Sequence, residues 1–418
     1  MWEPKVECYS TLGQLQGVEE CMSPRHYRHM DIINRFDCVV IGAGVVGMGI
    51  ARELGERGMS VALIDKHEVG AGTSANSFAW INATAKSNDE TYYQLNKSGT
   101  EAYRALAVEF GERDIGLHPV GMLEWASPDN DGRLESLRER ASRLSRLGYP
   151  VAWVKRDELV AMEPHIAFGA NVEGLHAFAD AWLDVAAYLR FGKQRINACN
   201  GAVFEHCEAL ELVVDDRGKV YGVSTARGRF NCDNVVVAVG ADTPTVLSAL
   251  TGYEGFSARF PMQRAPGLLV KTPPDRSFQF ARHILYEGDT GIHLRESPDG
   301  GLLLGSDETD GMVEANSSPE QIRAAAQVLL NRVGRLVPAF SGSAVLDDSE
   351  LGIGIRAVPA DDKSIAGPMP ASQGLYIAVT HSGVTLSLAL AKLLADAIER
   401  RNIPGGLAPY SITRFPGF

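Results

Sequence analysis

Two different hydrophobic periods occur within residues 36–66. Residues 38–41 and 61–64 are short runs in which every position is apolar, which is typical of strands buried on both faces. Between these runs, apolar residues recur at helical spacing from residue 45 to residue 54. Gly58 follows where a left-handed cap would end a helix. The pattern therefore predicts a strand, a helix and a second strand.

The remaining pattern predicts two kinds of sheet. Apolar runs at residues 234–239 and 374–379 predict further buried strands, and a long helix is expected at 386–400. Residues 261–310 instead alternate over several short strands, which indicates an antiparallel sheet in a second domain. Other helices are predicted at 90–111, 131–147, 183–197 and 318–337, and a hairpin at 203–226. The fold class is therefore α/β, or α+β for the chain as a whole.

A glycine-rich turn separates the first strand from its helix. It reads Gly42-Ala43-Gly44-Val45-Val46-Gly47, and Asp65 lies eighteen residues beyond it at the end of the next strand, followed by Lys66. In such a motif the first glycine permits the sharp turn, the second lets the backbone approach a pyrophosphate, and the third lets helix and strand pack closely. The acid can accept hydrogen bonds from a ribose. The segment predicts a dinucleotide site, and it does not by itself distinguish FAD from NAD.

Composition narrows the classes of partner. The 418 residues carry a formal net charge of −12, which argues against nucleic acid or an anionic membrane as a partner. The most apolar stretch, residues 375–398, is interrupted by polar and charged residues, so a transmembrane segment is not expected. The six cysteines have no CxxC spacing, and the N-terminus lacks an apolar signal region. We expect a cytoplasmic protein with reduced thiols, and no histidine spacing suggests a metal.

Four segments together resemble the FAD-dependent D-amino acid oxidase family, which includes glycine oxidase and sarcosine oxidase. They are the glycine-rich turn with its acid, the loop Gly72-Thr73-Ser74, the strand end at 236–241, and the C-terminal pair 356–367 and 374–386. The resemblance covers residues 35–400. It implies a Rossmann-like FAD-binding domain, discontinuous over 36–115, 185–260 and 345–418, with an inserted antiparallel-sheet substrate-binding domain over 116–184 and 261–344. Residues 1–35 are expected to be a disordered extension.

The resemblance also implies how the cofactor is held. Some relatives attach the flavin covalently through a histidine after the second loop or a cysteine in the C-terminal half. Here Ser77 follows the loop, and no cysteine lies beyond Cys232, so noncovalent FAD is expected. The predicted cofactor-binding residues are Gly42, Ala43, Gly44, Val45, Val46, Gly47, Asp65, Lys66, Gly72, Thr73, Ser74, Val203, Gly240, Gly383, Val384, Thr385 and Leu386.

Three residues are candidates for the substrate side. Arg356 resembles the family's substrate-side arginine and would clamp a carboxylate, although a structural ion pair is an equal alternative. His381 would lie over the flavin or would only order its turn. Arg295 shares a strand face with His293, and both would reach the pocket or face solvent.

The predicted reaction is oxidation of the C–N bond of an amino acid or N-alkyl amino acid. Hydride would pass to flavin N5, giving an imine that hydrolyses, with oxygen or another molecule as the final electron acceptor. Two alternatives remain open, an FAD-carrying subunit of a multi-subunit dehydrogenase and an NAD-dependent dehydrogenase. The chain would be active alone, as a homo-oligomer or as part of a hetero-oligomer.

Overall fold

The first predicted unit forms as expected in the computed structural model. Strands β2 (Cys38–Ile41) and β3 (Val61–Ile64) pair in parallel, with helix α1 (Val45–Glu56) between them in the chain. The structure describes residues 34–128, 132–252, 255–275, 278–340, 345–370 and 372–418. The extension predicted over 1–35 therefore lies outside the described residues except for its last two positions. We number strands β1–β21 and helices α1–α11 in chain order.

A six-stranded sheet is built on this unit, in the order β10-β3-β2-β14-β21-β20. Its strands run in parallel except β20, which pairs antiparallel with β21 at one edge. All four residues of β2 and of β3 are buried, as expected for strands that are covered on both faces, here by helices on one face and largely by a small sheet on the other. The added strands are β10 (Ala202–Phe204), β14 (Asn234–Val237), β20 (Ile365–Pro368) and β21 (Leu375–Val379).

A second sheet has eight strands, in the order β19-β15-β18-β17-β16-β6-β8-β7. Its pairs are antiparallel except β16 with β6, which run in parallel and join two separate parts of the chain. The sheet confirms the expected second, largely antiparallel layer. Its strands are β6 (Met122–Ala126), β7 (Val151–Lys155), β8 (Glu173–Ala177), β15 (Met262–Lys271), β16 (Ile284–Glu287), β17 (Ile292–Glu296), β18 (Leu302–Ser306) and β19 (Glu350–Pro359).

Two small sheets complete the described strands. One has the order β4-β9-β5 and the other β1-β13-β12-β11. The first consists of β4 (Trp80–Ile81), β5 (Leu117–His118) and β9 (Ala181–Leu183). The second consists of β1 (Asn34–Arg35), β11 (Ala209–Val214), β12 (Val220–Thr225) and β13 (Gly228–Asn231). The predicted hairpin at 203–226 is therefore only partly present, because Val203 pairs with Leu63 of the six-stranded sheet.

Helices cover the parallel sheet and lie beside the large one. The long helix α11 packs on α1 and α2, where Gly49 and Gly99 let the backbones meet closely. A Cβ added at Gly49 would lie 3.1 Å from the Ser387 carbonyl oxygen. A Cβ added at Gly99 would lie 2.2 Å from the Thr385 carbonyl oxygen. The other helices are α2 (Glu90–Phe110), α3 (Glu112–Ile115), α4 (Arg133–Arg146), α5 (Arg156–Met162), α6 (Val185–Ala198), α7 (Thr243–Thr251), α8 (Phe256–Arg259), α9 (Asp307–Asp310), α10 (Pro319–Leu336) and α11 (Gly383–Arg400).

The pairing of β19 concerns the domain boundaries that the family resemblance implies. Strand β19 lies in the segment 345–418, which was assigned to cofactor binding, yet it pairs along its whole length with β15 of the large sheet. Domain boundaries therefore stay a prediction. Among the described residues, no helix combines the length and the apolar character that crossing a membrane requires.

Candidate active site

A cavity of about 680 Å³ opens where the carboxyl ends of β2, β3, β14 and β21 meet. Ligands of open α/β sheets bind at such strand ends. The cavity continues from the glycine-rich turn to the large sheet, where residues of β15, β16, β17 and β19 form its far wall. It therefore joins a dinucleotide-type site to a second chamber.

The glycine-rich turn has the geometry that its sequence predicts. Gly42 has a φ of +104°, a conformation that side chains disfavour, and its N–H donates to the Ile64 carbonyl at 2.8 Å. A Cβ added at Gly42 would lie 2.6 Å from the Ala238 carbonyl oxygen. A Cβ added at Gly47 would lie 1.9 Å from the Gly42 carbonyl oxygen. These contacts show that strand, turn and helix are packed as closely as the backbone allows.

Asp65 links the turn to the following strand. Its Oδ2 accepts a hydrogen bond from the Ala43 N–H at 2.7 Å, and its Oδ1 accepts one from the His67 N–H at 2.8 Å. Each oxygen keeps a further lone pair, so the carboxylate can still accept a ribose hydroxyl. Lys66 next to it also lines the cavity, and its Nζ lies 3.5 Å from Asp242 Oδ2.

The second loop is hydrogen-bonded to the start of α1 and to the large sheet. Ser74 Oγ accepts a hydrogen bond from the Val45 N–H at 3.1 Å, at the start of α1. Thr73 Oγ1 donates to the Ile355 carbonyl of β19 at 2.6 Å. The loop predicted from its small and hydroxyl residues is therefore a rigid floor between the turn and the large sheet.

Most of the predicted cofactor-binding residues line this cavity. Those on its wall are Gly42, Gly44, Val45, Val46, Asp65, Lys66, Gly72, Thr73, Ser74, Gly240, Gly383, Val384 and Thr385. Ala43 and Gly47 lie just behind the wall and shape the turn. Val203 lies in β10 and Leu386 is fully buried in α11. Neither lines the cavity, and their assignment to the cofactor stays a prediction.

Arg356 faces the second chamber and is already engaged. Its Nη2 lies 2.8 Å from Asp310 Oδ2 and 2.8 Å from the Pro266 carbonyl, and its Nε lies 3.4 Å from the Ala265 carbonyl. The structural ion pair weighed against the substrate clamp is thus present. In the described residues, Nη1 is the guanidinium nitrogen without a hydrogen bond.

His381 lines the same chamber on the turn that precedes α11. The loss of solvation by surrounding protein, and then the charges of Lys86 and Arg356, lower the pKa of its imidazole to about 4. The ring is therefore neutral at physiological pH and can exchange a hydrogen bond with a bound molecule without adding charge.

Arg295 does not line the cavity, which corrects its assignment as a catalytic candidate with a pocket-facing side chain. It is 4% exposed and its guanidinium lies 4.1 Å from the Trp182 ring centroid. Its Nε donates to the Phe78 carbonyl at 2.9 Å, so it supports the cavity wall from behind. Neighbouring His293 does line the cavity, in stacked contact with Tyr286.

Sequence reasoning missed two features of the second chamber. Asp180 is fully buried and accepts hydrogen bonds from Trp80 Nε1 at 2.8 Å, Thr84 Oγ1 at 3.1 Å and Tyr149 Oη at 2.7 Å. Desolvation raises its carboxyl pKa to about 7. Lys86 lines the wall near His381. No local pattern marks Asp180, since its partners are far away in the chain.

The residues present fit FAD. The cradle at Gly42 and Gly44 has no room for side chains. The 12-residue helix α1 has no acid in its first turn and no cap from its own N-cap residue, so that Ser74 Oγ is the side-chain acceptor at this end among the described residues. Helix α11 likewise begins at the cavity without a side-chain cap or an acidic first turn. Such helix ends attract the phosphates of a dinucleotide and the negative charge of a reduced flavin.

The described parts of the chain contain no group of three or more His, Cys, Asp and Glu side chains placed to hold a metal ion.

Comparison with known proteins agrees with this geometry. The chain is 28% identical to glycine oxidase of Geobacillus kaustophilus over 397 residues, covering 92% of this chain and 98% of the relative. It is 23% identical over 392 residues to one of the subunits of opine oxidase from Agrobacterium tumefaciens, covering 91% of this chain and 97% of the relative. The crystal structure of the Geobacillus glycine oxidase superposes with a TM-score of 0.77 at 24% identity, covering 92% of this chain and all of that one.

The family model described as FAD dependent oxidoreductase, DAO, matches residues 37–397. This span includes the glycine-rich turn, the second loop, the large sheet and most of α11. The resemblance seen in the four sequence segments is thereby confirmed over nearly the whole chain. The protein belongs to the DAO family of FAD-dependent oxidoreductases.

Proposed function

We propose that the enzyme oxidises the C–N bond of an amino acid or an N-alkyl amino acid. The observation that carries this proposal is one continuous cavity that runs from the glycine-rich turn to a chamber lined by Arg356 and His381. The proposal draws further support from the glycine oxidase relative. Membership of an FAD-dependent family removes the alternative of an NAD-dependent dehydrogenase.

FAD, when bound, accepts at flavin N5 the hydride, a proton with two electrons, that leaves the substrate carbon. The nitrogen loses its proton to water, and the resulting imine takes up water to give a carbonyl compound and a free amine. The protein residues have to orient the substrate carbon and exclude competing water.

The chamber residues have distinct roles in this proposal. Arg356 offers Nη1 to a substrate carboxylate. Neutral His381 contacts the substrate or the flavin without a charge of its own. Tyr286 and Trp80, whose rings lie 6.4 Å apart, form an aromatic wall that keeps water from the reacting carbon. Tyr286 is fixed by its hydroxyl, which donates to Asp307 at 2.8 Å.

Turnover tests the proposal and identifies the electron acceptor. The purified enzyme is supplied with D-amino acids, N-methyl amino acids and simple amines, in air and then with an artificial electron acceptor. We expect one equivalent of carbonyl product and of free amine for each equivalent of acceptor reduced. Activity in air would indicate an oxidase, and activity with the artificial acceptor alone would indicate a dehydrogenase. Reduction of acceptor without amine release would contradict C–N oxidation.

A second candidate is an FAD-carrying subunit of a larger dehydrogenase. It is favoured by the opine oxidase relative, which is named as a subunit. Purification of the protein from its native source under mild conditions distinguishes the two. Activity that depends on copurifying chains would support the second candidate, and full activity of the isolated chain would support the first proposal.

A further inference from the structure

Three Lys and Arg side chains line the cavity, and two of them are compensated. Lys66 pairs with Asp242, and Arg356 pairs with Asp310. Lys86 forms no ion pair with any residue that the structure describes. Its charge is therefore the one on the cavity wall that lacks a protein counterion within the described ranges, and it lies in the substrate chamber rather than beside Asp65.

The segment that carries Lys86 is held rigidly. It is a 3-10 helix, Thr84–Lys86, and Thr84 Oγ1 donates to the buried Asp180 at 3.1 Å. Just before it, the Asn82 N–H donates to Thr385 Oγ1 at 3.2 Å, which ties the segment to the start of α11. The Lys86 Nζ lies over the Tyr92 ring, 6.0 Å from its centroid, a cation–π contact that leaves the charge without a counterion.

Arg356 cannot grip a carboxylate with its full fork. Two of its three nitrogens contact carbonyl oxygens, and Nη2 also contacts Asp310. A bidentate pair needs two parallel N–H donors. With Nη1 as its one nitrogen not engaged among the described residues, Arg356 cannot offer the two-nitrogen fork, and the other carboxylate oxygen is left for a second donor such as Lys86. Lys86, Arg356 and His381 line the same cavity, and both cations contribute to the lowered pKa of the His381 imidazole.

We propose that Lys86 binds the substrate carboxylate together with Arg356 and makes the enzyme selective for amines that carry a carboxylate. The inference rests on the proposed function, because it assigns a specificity-determining residue to that reaction. Neutral His381 adds no charge to this wall, so the Lys86 ammonium remains as positive charge that no described carboxylate balances. The 80–86 segment thus supplies both the aromatic wall, through Trp80, and the anion-binding charge.

Matched pairs of substrates and variants test this role. The substrates are the best amino acid found and the amine that lacks only its carboxylate, for example N-methylglycine and dimethylamine. The variants are Lys86→Met, Lys86→Arg, and the control Lys97→Met, whose lysine pairs with Glu101 on the outside of α2. Variants are compared at equal flavin content. A binding measurement independent of turnover uses acetate and acetamide, followed by the change in the flavin spectrum.

Lys86→Met should lower kcat/KM for the amino acid by about 30-fold, mostly through KM, and should leave the amine within about threefold. It should weaken acetate binding by a similar factor and leave acetamide binding unchanged. Lys86→Arg should keep most of the preference for the amino acid over the amine. Lys97→Met should alter neither this preference nor acetate binding. Equal losses for both substrates, or unchanged acetate binding in Lys86→Met, would overturn the inference. If neither the amino acids nor the amines reduce the wild-type flavin, the proposed function fails. The acetate titration still decides the role of Lys86 in that case.

Discussion

At the residue scale, two aspartates show how environment separates residues of the same type. Asp65 is half-buried and uses both oxygens to hold backbone N–H groups of the cofactor turn. Asp180 is fully buried behind the substrate chamber, with three side-chain donors and no cationic partner in the described residues. The first was predictable from its distance to the glycine-rich turn. The second was not, because Trp80 and Tyr149 meet Asp180 only in the folded protein.

Replacement of Asp65 by Ala should weaken FAD binding without preventing folding. The variant loses a charge-assisted hydrogen bond to the ribose, on the order of 1.5–3 kcal/mol, and also loosens the turn at Ala43. Fluorescence titration of the apoprotein with FAD measures the effect. Wild-type FAD affinity in this variant would show that Asp65 does not contact the cofactor.

Asp180 should make stability depend on pH. Its pKa is raised from an ordinary value near 3.8 to about 7 by desolvation, so the folded state holds its proton more tightly than the unfolded state. The associated stability is fully present below the unfolded pKa and is lost as pH rises through about 7. For a shift of this size, the loss is on the order of 4 kcal/mol.

Urea unfolding of the wild type and of Asp180→Asn at pH 5 and pH 8 measures this contribution. The amide of Asn resembles the protonated carboxyl that the folded wild type holds at pH 5, so the variant should stay within about 1–3 kcal/mol of the wild type there, the cost of one additional buried N–H. It should also lose less stability than the wild type between the two pH values. An identical pH dependence in both proteins would contradict the raised pKa.

At the element scale, prediction succeeds where one short segment carries the whole signal. The buried runs of β2 and β3, the helix α1 and its glycine-rich turn form from local pattern alone. The predicted hairpin at 203–226 is partly wrong because Val203 pairs with a strand that lies about 140 residues earlier, next to Leu63. A three-residue strand with half-buried side chains has no local pattern that reveals such a partner.

Gly47→Ala should disrupt the contact between the turn and α1. Its Cβ would lie 1.9 Å from the Gly42 carbonyl oxygen, which is backbone and cannot rotate away. We expect a destabilisation of at least about 1–3 kcal/mol and a weaker retention of FAD. Gly405→Ala is the matched control, because nothing lies within 4 Å of the added Cβ there. Equal melting temperatures for the two variants would contradict the packing described for the turn.

At the scale of the whole molecule, the candidate site combines segments that are far apart in sequence. The cofactor end was largely predicted, because its residues belong to motifs with fixed spacing. The substrate end was only partly predicted. Arg356 was found through its segment, whereas its ion pair with Asp310, the burial of Arg295 and the free charge of Lys86 depend on how the two large sheets meet.

Noncovalent attachment of the flavin is a further expectation for the whole protein. Ser77 occupies the position after the second loop, and its Oγ accepts a hydrogen bond from the Ala79 N–H at 3.0 Å. A hydroxyl at this position offers no imidazole for attachment. Precipitation with acid should release the yellow colour into the supernatant. Colour that remains in the protein pellet would contradict noncovalent binding.

Under the proposed function, an amino-acid or N-alkyl amino-acid substrate reduces the FAD bound in this cavity, and anaerobic mixing isolates that step. The purified yellow protein is mixed without oxygen with a panel of D-amino acids, N-methyl amino acids and amines, and the visible flavin band is followed. We expect amino acids or N-alkyl amino acids to bleach the band, and the corresponding amines without a carboxylate to do so far more slowly. A band that persists with every amino compound, while dithionite bleaches it, would contradict the claim.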